Sequence, residues 1–251
     1  MLKKEAIEIT GGLSAPSKMP GPAFNLPAWA CATGAKLVKI PGTPCHGCYA
    51  LKGRYRFPNV KAALNRRLEK LHDPRWVESM VTLIDKQPWF RWHDSGDLQS
   101  AKHLTNIFEV CNRTPGTKHW LPTQERKYLQ FLDPAIVPPN LIIRLSGSKI
   151  DGPAPKSWPW TSSVVTAVRT CPAPDQDNEC KSCRNCWDKK ISNISYGKHY
   201  MRRPIITQAW LAEFYAEGLK PKYKGSLKRQ ATGSKHKKRQ ASSIKRGGPA
   251  R

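Results

Sequence analysis

Seven of the eight cysteines in this chain fall into two groups, and their spacing is that of metal ligands. Cys180, Cys183 and Cys186 stand at C-x2-C-x2-C spacing, and Cys171, followed by Pro172, precedes them by eight intervening residues. Three sulfurs so spaced on a tight loop face a common centre, and a remote Cys-Pro completes the ligand set of bacterial ferredoxins. Four thiolates suit a tetrahedral zinc ion equally well. Spacing leaves a 4Fe–4S cluster and zinc both open for this set. The second group is Cys31, then thirteen residues, then Cys45-His46-Gly47-Cys48 in a Gly- and Pro-rich loop. It offers three thiols. A cube held by three thiolates leaves one iron open to a ligand, whereas a structural zinc site wants a fourth donor, and His46 lies too close to both flanking cysteines to serve. A stray cysteine beside a C-x2-C zinc knuckle is the plainer alternative. Cys111, on the stripe Leu104, Ile107, Phe108, Cys111, reads as a core residue.

Alternation of strand and helix must position these loops. Helices are expected over 59–71, after Pro58, and over 74–85, with Trp76, Met80, Leu83 and Ile84 inward. Strand 89–93 is followed by helix 101–112, strand 118–121 by helix 124–132, and strands at 140–145 and 162–168 come next. A strand at 191–196 and a helix at 205–216 close the order. This predicts an α/β fold, either a partial β/α barrel or an open parallel sheet, with a Cys-rich metal-binding insertion. Chemistry in such folds collects at the carboxyl ends of the strands. Those ends carry His93-Asp94-Ser95-Gly96-Asp97, then Thr123-Gln124-Glu125-Arg126, then Arg144 with Ser146-Gly147, a set suited to a polar, charged ligand. Asp97, Ser100 and Thr123 also have a helix-capping reading, and Glu125 and Arg126 that of solvated charges.

The 251 residues carry a formal charge of +25, with 43 Lys plus Arg against 18 Asp plus Glu. Nine tryptophans and 39% hydrophobic content exclude a wholly disordered chain. No apolar run reaches bilayer-spanning length, and the start lacks a signal-peptide stretch, so no membrane partner is expected and a disulfide framework is disfavoured. Residues 219–251 hold twelve Lys or Arg, no acid, and the near-repeat KRQAT/KRQAS. We therefore expect a folded domain over 1–218 and a disordered basic tail over 219–251, which attracts nucleic acid without sequence specificity.

The segments SKMPG (17–21), CHGCYALKGRY (45–55), FRWHDSGDLQS (90–100), HWLPTQE (119–125), PPNLIIRLS (138–146) and C-P-A…C-x2-C-R-x-C-W (171–187) resemble a phage family labelled gene product eighty-eight, over about residues 10–200. That family brings no settled activity. The order Cys-x2-Cys-Tyr-Ala, strand–SGDL, strand–LPT, PPN–strand–S more distantly resembles a second phage family, gene product thirty-seven/sixty-eight, which is taken to be related to radical S-adenosylmethionine enzymes. That resemblance implies a 4Fe–4S cluster on Cys31, Cys45 and Cys48 whose open iron binds S-adenosylmethionine for one-electron cleavage, with a flavodoxin or ferredoxin as donor. It further implies that Ser95-Gly96-Asp97 meet the methionine moiety, that Arg144 and Ser146 contact ribose or carboxylate, and that the 171/180/183/186 set is an auxiliary cluster or structural zinc. The thirteen-residue gap after Cys31, and Tyr49 falling after rather than before the last cysteine, depart from the usual C-x3-C-x2-C pattern. Asp94, Asp97 and Glu125 are the candidates for proton transfer, with His93 and Arg126 beside them as cofactor contacts. The expectation is an iron–sulfur enzyme in the host cytoplasm acting on nucleic acid or a nucleotide. The alternative is a non-catalytic, zinc-stabilised nucleic-acid-binding protein.

Overall fold

A computed structural model describes residues 1–198; the helix expected over 205–216 and the boundary at 218 lie outside them. Six strands form one sheet in chain order, every neighbouring pair parallel: β1 (Ala23–Phe24), β2 (Trp89–Trp92), β3 (Lys118–Thr123), β4 (Leu141–Ile150), β5 (Thr161–Val165) and β6 (Asn193–Gly197). The strand order never reverses, so this is not a doubly wound sheet with a central switch point. Nor does it close: β1 and β6 end an open sheet, the second of the two expected architectures.

Period-two alternation sorts the side chains onto two unlike faces. Phe24, Phe90, Trp92, Leu121, Leu141, Ile143 and Leu145 point to one, where they are buried under the helices. Helix α4 (Trp76–Ile84) brings Trp76, Met80 and Ile84, and α5 (Ala101–Arg113) brings Leu104, Ile107, Val110 and Cys111, so the cysteine read as core is core. An edge-on aromatic contact ties sheet to helix, Phe24–Trp76 at 5.5 Å, and another, Phe90–Trp92 at 4.8 Å, packs along β2, each adding about 0.5–1.5 kcal/mol beyond the area buried. Trp89, Arg91, Trp120, Ile142, Arg144 and Tyr196 lie on the other face, which no helix covers among the described residues; the cysteine loop 170–187 packs there through Trp187.

Local sequence explains the helix boundaries. Ser100 caps α5, its hydroxyl accepting from the His103 amide at 3.0 Å. Pro58 opens α3 (Pro58–Glu69), and α1 (Lys3–Thr10) stops at Gly11, whose φ of 80° is the left-handed cap that glycine favours. Three elements are additional to the expected set, α1, β1 and α2 (Ala32–Leu37). One is absent: residues 124–132 hold a single 3-10 turn, Arg126–Tyr128, not a helix. Glu125 begins that segment already tethered on both sides, its amide donating to Thr123 Oγ1 and its carboxylate holding Thr33, and Pro134 follows closely. Strand β4 runs five residues past the expected end, through a register irregularity between Ser146 and Ile150.

Candidate functional site

At the carboxyl end of β2 the chain turns through His93, which is left-handed at φ 59°. The turn that follows is stitched to the end of β1: the Asp94 amide donates to Asn25 Oδ1 (2.8 Å), and Ser95 exchanges bonds with Leu26 through its hydroxyl (2.9 Å) and its carbonyl (3.0 Å). Gly96 permits this approach, because a Cβ there would sit 2.6 Å from Leu26 Cβ at φ 78°. Asp97 is thereby swung over β3. Its carboxylate accepts from Thr123 Oγ1 (2.6 Å), the Gln124 amide (2.8 Å) and the Leu98 amide (2.8 Å).

Glu125 is fully buried beside it and accepts from both the amide and the hydroxyl of Thr33, at 2.7 and 2.8 Å. Thr33 lies in the first turn of α2, so this pair draws the segment after Cys31 across the strand ends. Gly34, one residue on, marks the gap between thiols: a Cβ there would lie 3.6 Å from Cys31 Sγ and 3.8 Å from Cys45 Sγ. The Cys48 side of the loop is held by Tyr49, whose hydroxyl donates to the Asp94 carbonyl, and by Tyr55, whose hydroxyl donates to Asp94 Oδ2 at 2.8 Å. Asp94 Oδ1 in turn pairs with Arg91 at 3.0 Å. The fold therefore gathers Cys31, Cys45, Cys48, Asp97 and Glu125, which lie between 31 and 125 in sequence, at one rim.

Electrostatics at this rim favour neutral groups. Burial, then the neighbouring Asp97 and thiols, pushes the Cys31 thiol up, and burial with Cys48, Asp97 and Glu125 pushes Cys45 to about 12. Thiols in that setting are poor nucleophiles on their own. Burial also raises Asp97 to about 7, against its three hydrogen bonds, so its proton is exchangeable near neutrality.

The other expected contacts separate. Arg126 donates to the Ser146 carbonyl at 2.7 Å and Gln124 to the Gly147 carbonyl at 3.0 Å, closing the rim toward β4, while Ser146 Oγ meets Ser162 Oγ at 3.1 Å. His93 turns away: it is buried against His103 of α5, ring centroids 5.3 Å apart, and neither of its ring nitrogens has a partner among the described residues. Arg144 is fully buried on the helix-free face, and its guanidinium donates to the carbonyls of Thr161, Asn185, Cys186, Asp188 and Ile191. A guanidinium so engaged is a loop anchor, with no donor left over to take a ribose or carboxylate. Above it Cys171, Cys180, Cys183 and Cys186 line one cavity of about 20 Å³. Among the described residues no three His, Cys, Asp or Glu side chains, in either set, already stand at single-ion coordination distance.

Sequence reasoning missed Thr33, Tyr49, Tyr55 and Arg91 as positioning residues. Tyr49 and Tyr55 sit inside the CHGCYALKGRY segment, the available signal; Thr33 had none. An open, chain-ordered parallel α/β sheet with thiols and carboxylates gathered at its carboxyl rim defines the class. The Gene product 88 family matches residues 2–159, well over half of the chain, and this phage protein belongs to that family. The match takes in the first cysteine set and the rim through β4, and stops before Cys171. No curated protein and no solved structure matches the chain. No helix among the described residues is long and apolar enough to cross a membrane.

Proposed function

We propose that this protein is an iron–sulfur enzyme of radical S-adenosylmethionine type acting on nucleic acid or a nucleotide in the host cytoplasm. The observation that carries the reading is the convergence of three thiols, and three only, with Asp97 and Glu125 over the ends of parallel strands. Gly34 lets the backbone pass close to two of those thiols, since a Cβ there would lie 2.9 Å from Cys31 Cβ. Cys31, Cys45 and Cys48 would hold the cluster. When bound, a three-thiolate 4Fe–4S centre with S-adenosylmethionine supplies one-electron chemistry that amino-acid side chains lack.

The chain's own residues then have distinct tasks. Asp97, raised to about 7, holds or releases a proton at its carboxyl oxygen. Glu125 fixes the Cys31 segment through Thr33, and Asp94 fixes the Cys48 segment through Tyr55. Ser95 and Gly96 set the turn that presents Asp97. The basic tail would deliver the polyanion, and an electron carrier of flavodoxin or ferredoxin kind would supply reducing equivalents.

The test is iron and acid-labile sulfide per chain after anaerobic purification, for the wild-type protein and Cys45→Ala. About four irons with matching sulfide, lost in Cys45→Ala without loss of the cooperative melt, supports the reading. A colourless, air-stable protein holding zinc alone overturns it in favour of a zinc-stabilised nucleic-acid-binding module.

A further inference from the structure

The two cysteine sets differ in their surroundings, and the second is set up to hold a metal. Around the first set stand carboxylates, Asp97 and Glu125. Around the second arginines outnumber acids: Arg144 and Arg91 act on Cys186, Arg184 and Arg91 on Cys180, and Arg169, itself paired with Asp175, on Cys171. Four thiolates around a divalent ion carry a net charge of −2, which nearby guanidinium groups tolerate, but a cube held by four thiolates carries the same charge, so the surroundings favour a metal without choosing between the two. Tyr196 adds a hydroxyl 3.1 Å from Cys186 Sγ, placed to donate to a thiolate.

Size distinguishes the two where charge does not. The cavity shared by the four thiols is about 20 Å³, room for roughly one water-sized body. A 4Fe–4S cube is eight heavy atoms. To admit it the loop backbone would have to retreat, yet that backbone is fastened at Cys171, at Cys180 and over 185–188. Arg144 holds the carbonyls of Asn185, Cys186 and Asp188, the Trp187 indole donates to the Phe90 carbonyl at 2.9 Å, the Cys180 amide to Lys18 at 2.9 Å and the Cys171 amide to Ser195 at 3.0 Å. Closing four sulfurs onto one ion calls for side-chain rotation within a fixed loop, and opening them around a cube calls for dismantling its anchors.

We infer that Cys171, Cys180, Cys183 and Cys186 bind one tetrahedral divalent ion of zinc type, which clips loop 170–187 onto the helix-free face of the sheet. The four thiols release their protons to solvent as the ion enters. The ion is structural: it locks the loop that seats Arg144 and places Trp187 edge-on against Trp89 and Trp120, at 5.5 and 5.2 Å. This site stands whether or not the first set carries an iron–sulfur cluster.

The experiment uses the full chain carrying Cys31→Ala, Cys45→Ala and Cys48→Ala together, with metal content measured after expression in zinc- and iron-replete medium. One zinc per chain without iron or sulfide is expected, and cobalt in its place should give the intense visible bands of a tetrahedral thiolate site. Adding Cys183→Ser should lower zinc affinity at least tenfold, and chelation should shift tryptophan emission as the Trp89–Trp120–Trp187 cluster loosens. Iron with sulfide in the triple variant overturns the inference, and so do four freely titrating thiols with no metal. Should the triple variant fold poorly, the wild-type ratio decides: four irons to one zinc supports the site, and eight irons with no zinc overturns it. Absence of iron beside one zinc would sink the enzyme reading and leave this one standing.

Discussion

Arg144 shows how a residue type can be right for a ligand and wrong for the place. As a lone arginine at a strand end it reads as an anion contact; folded, it spends its fork on five backbone carbonyls. The acceptors lie between 161 and 191, and nothing in the sequence marks a carbonyl as an acceptor. Asp97 and Glu125 were legible because each falls in a polar run at the carboxyl end of a strand; Thr33 was not, because any hydroxyl near a turn looks the same. Arg144→Met should cost about 3–5 kcal/mol in denaturant unfolding, since it strands buried carbonyls. A loss under about 1 kcal/mol would show that the loop does not depend on it. A second residue-scale expectation concerns pH. Burial drives His93 well below its ordinary value and His103 and His119 to about 3. Between about pH 4 and 6 the unfolded chain binds the protons of His103 and His119 and the folded chain does not, so acid destabilises, and burial of His93 acts in the same direction. Asp97, held at about 7, acts with the opposite sign over the same window and offsets one of them. Each such histidine contributes a slope of about 1.4 kcal/mol per pH unit. His119→Gln should lower the slope by that amount; an unchanged slope in stability measured from pH 4 to 6 would remove His119 from the account.

At the scale of elements, the strands and helix α5 were readable because their apolar patterns are sustained: Leu104, Ile107, Val110 and Cys111 repeat over two turns, and β3 and β4 are largely buried runs. The segment 124–132 misled because its helix-compatible composition competes with tertiary ties at Glu125 that sequence does not display. The two-residue β1 was hidden among prolines and is held in place by its neighbours, notably the turn 93–97. That turn depends on one glycine. Gly96→Ala places a methyl 2.6 Å from Leu26 Cβ and 2.7 Å from the Leu26 carbonyl oxygen, in a backbone conformation that alanine resists. The expected result is a loss of about 2–3 kcal/mol and a fall in iron loading at the first cysteine set, as Asp97 and the β1 end part company. Normal stability together with normal loading would mean that the turn adapts and does not position the rim.

The whole molecule combines a sheet whose two faces do different work with a charge distribution that is lopsided along the chain. One face buries the aromatic core under α4 and α5; the other is closed by a cysteine loop and arginines; the rim between them gathers the reactive groups. Of a net charge of +25, twelve units belong to residues 219–251. Long-range attraction to a polyanion scales with such charge, and each phosphate neutralised on duplex DNA contributes about −0.9 to the slope of log affinity against log salt. If only half of the tail's bases engage, removing residues 219–251 should flatten that slope by about 5 and weaken binding by several orders of magnitude at low salt, the two chains converging as salt rises. Binding of the full chain and of residues 1–218 to duplexes of unrelated sequence, at 50 and 200 mM salt, measures this directly. Equal slopes would place the nucleic-acid contact on the folded part, where Arg91, Arg126 and Arg144 are already committed to protein partners, and the delivery role assigned to the tail would fall.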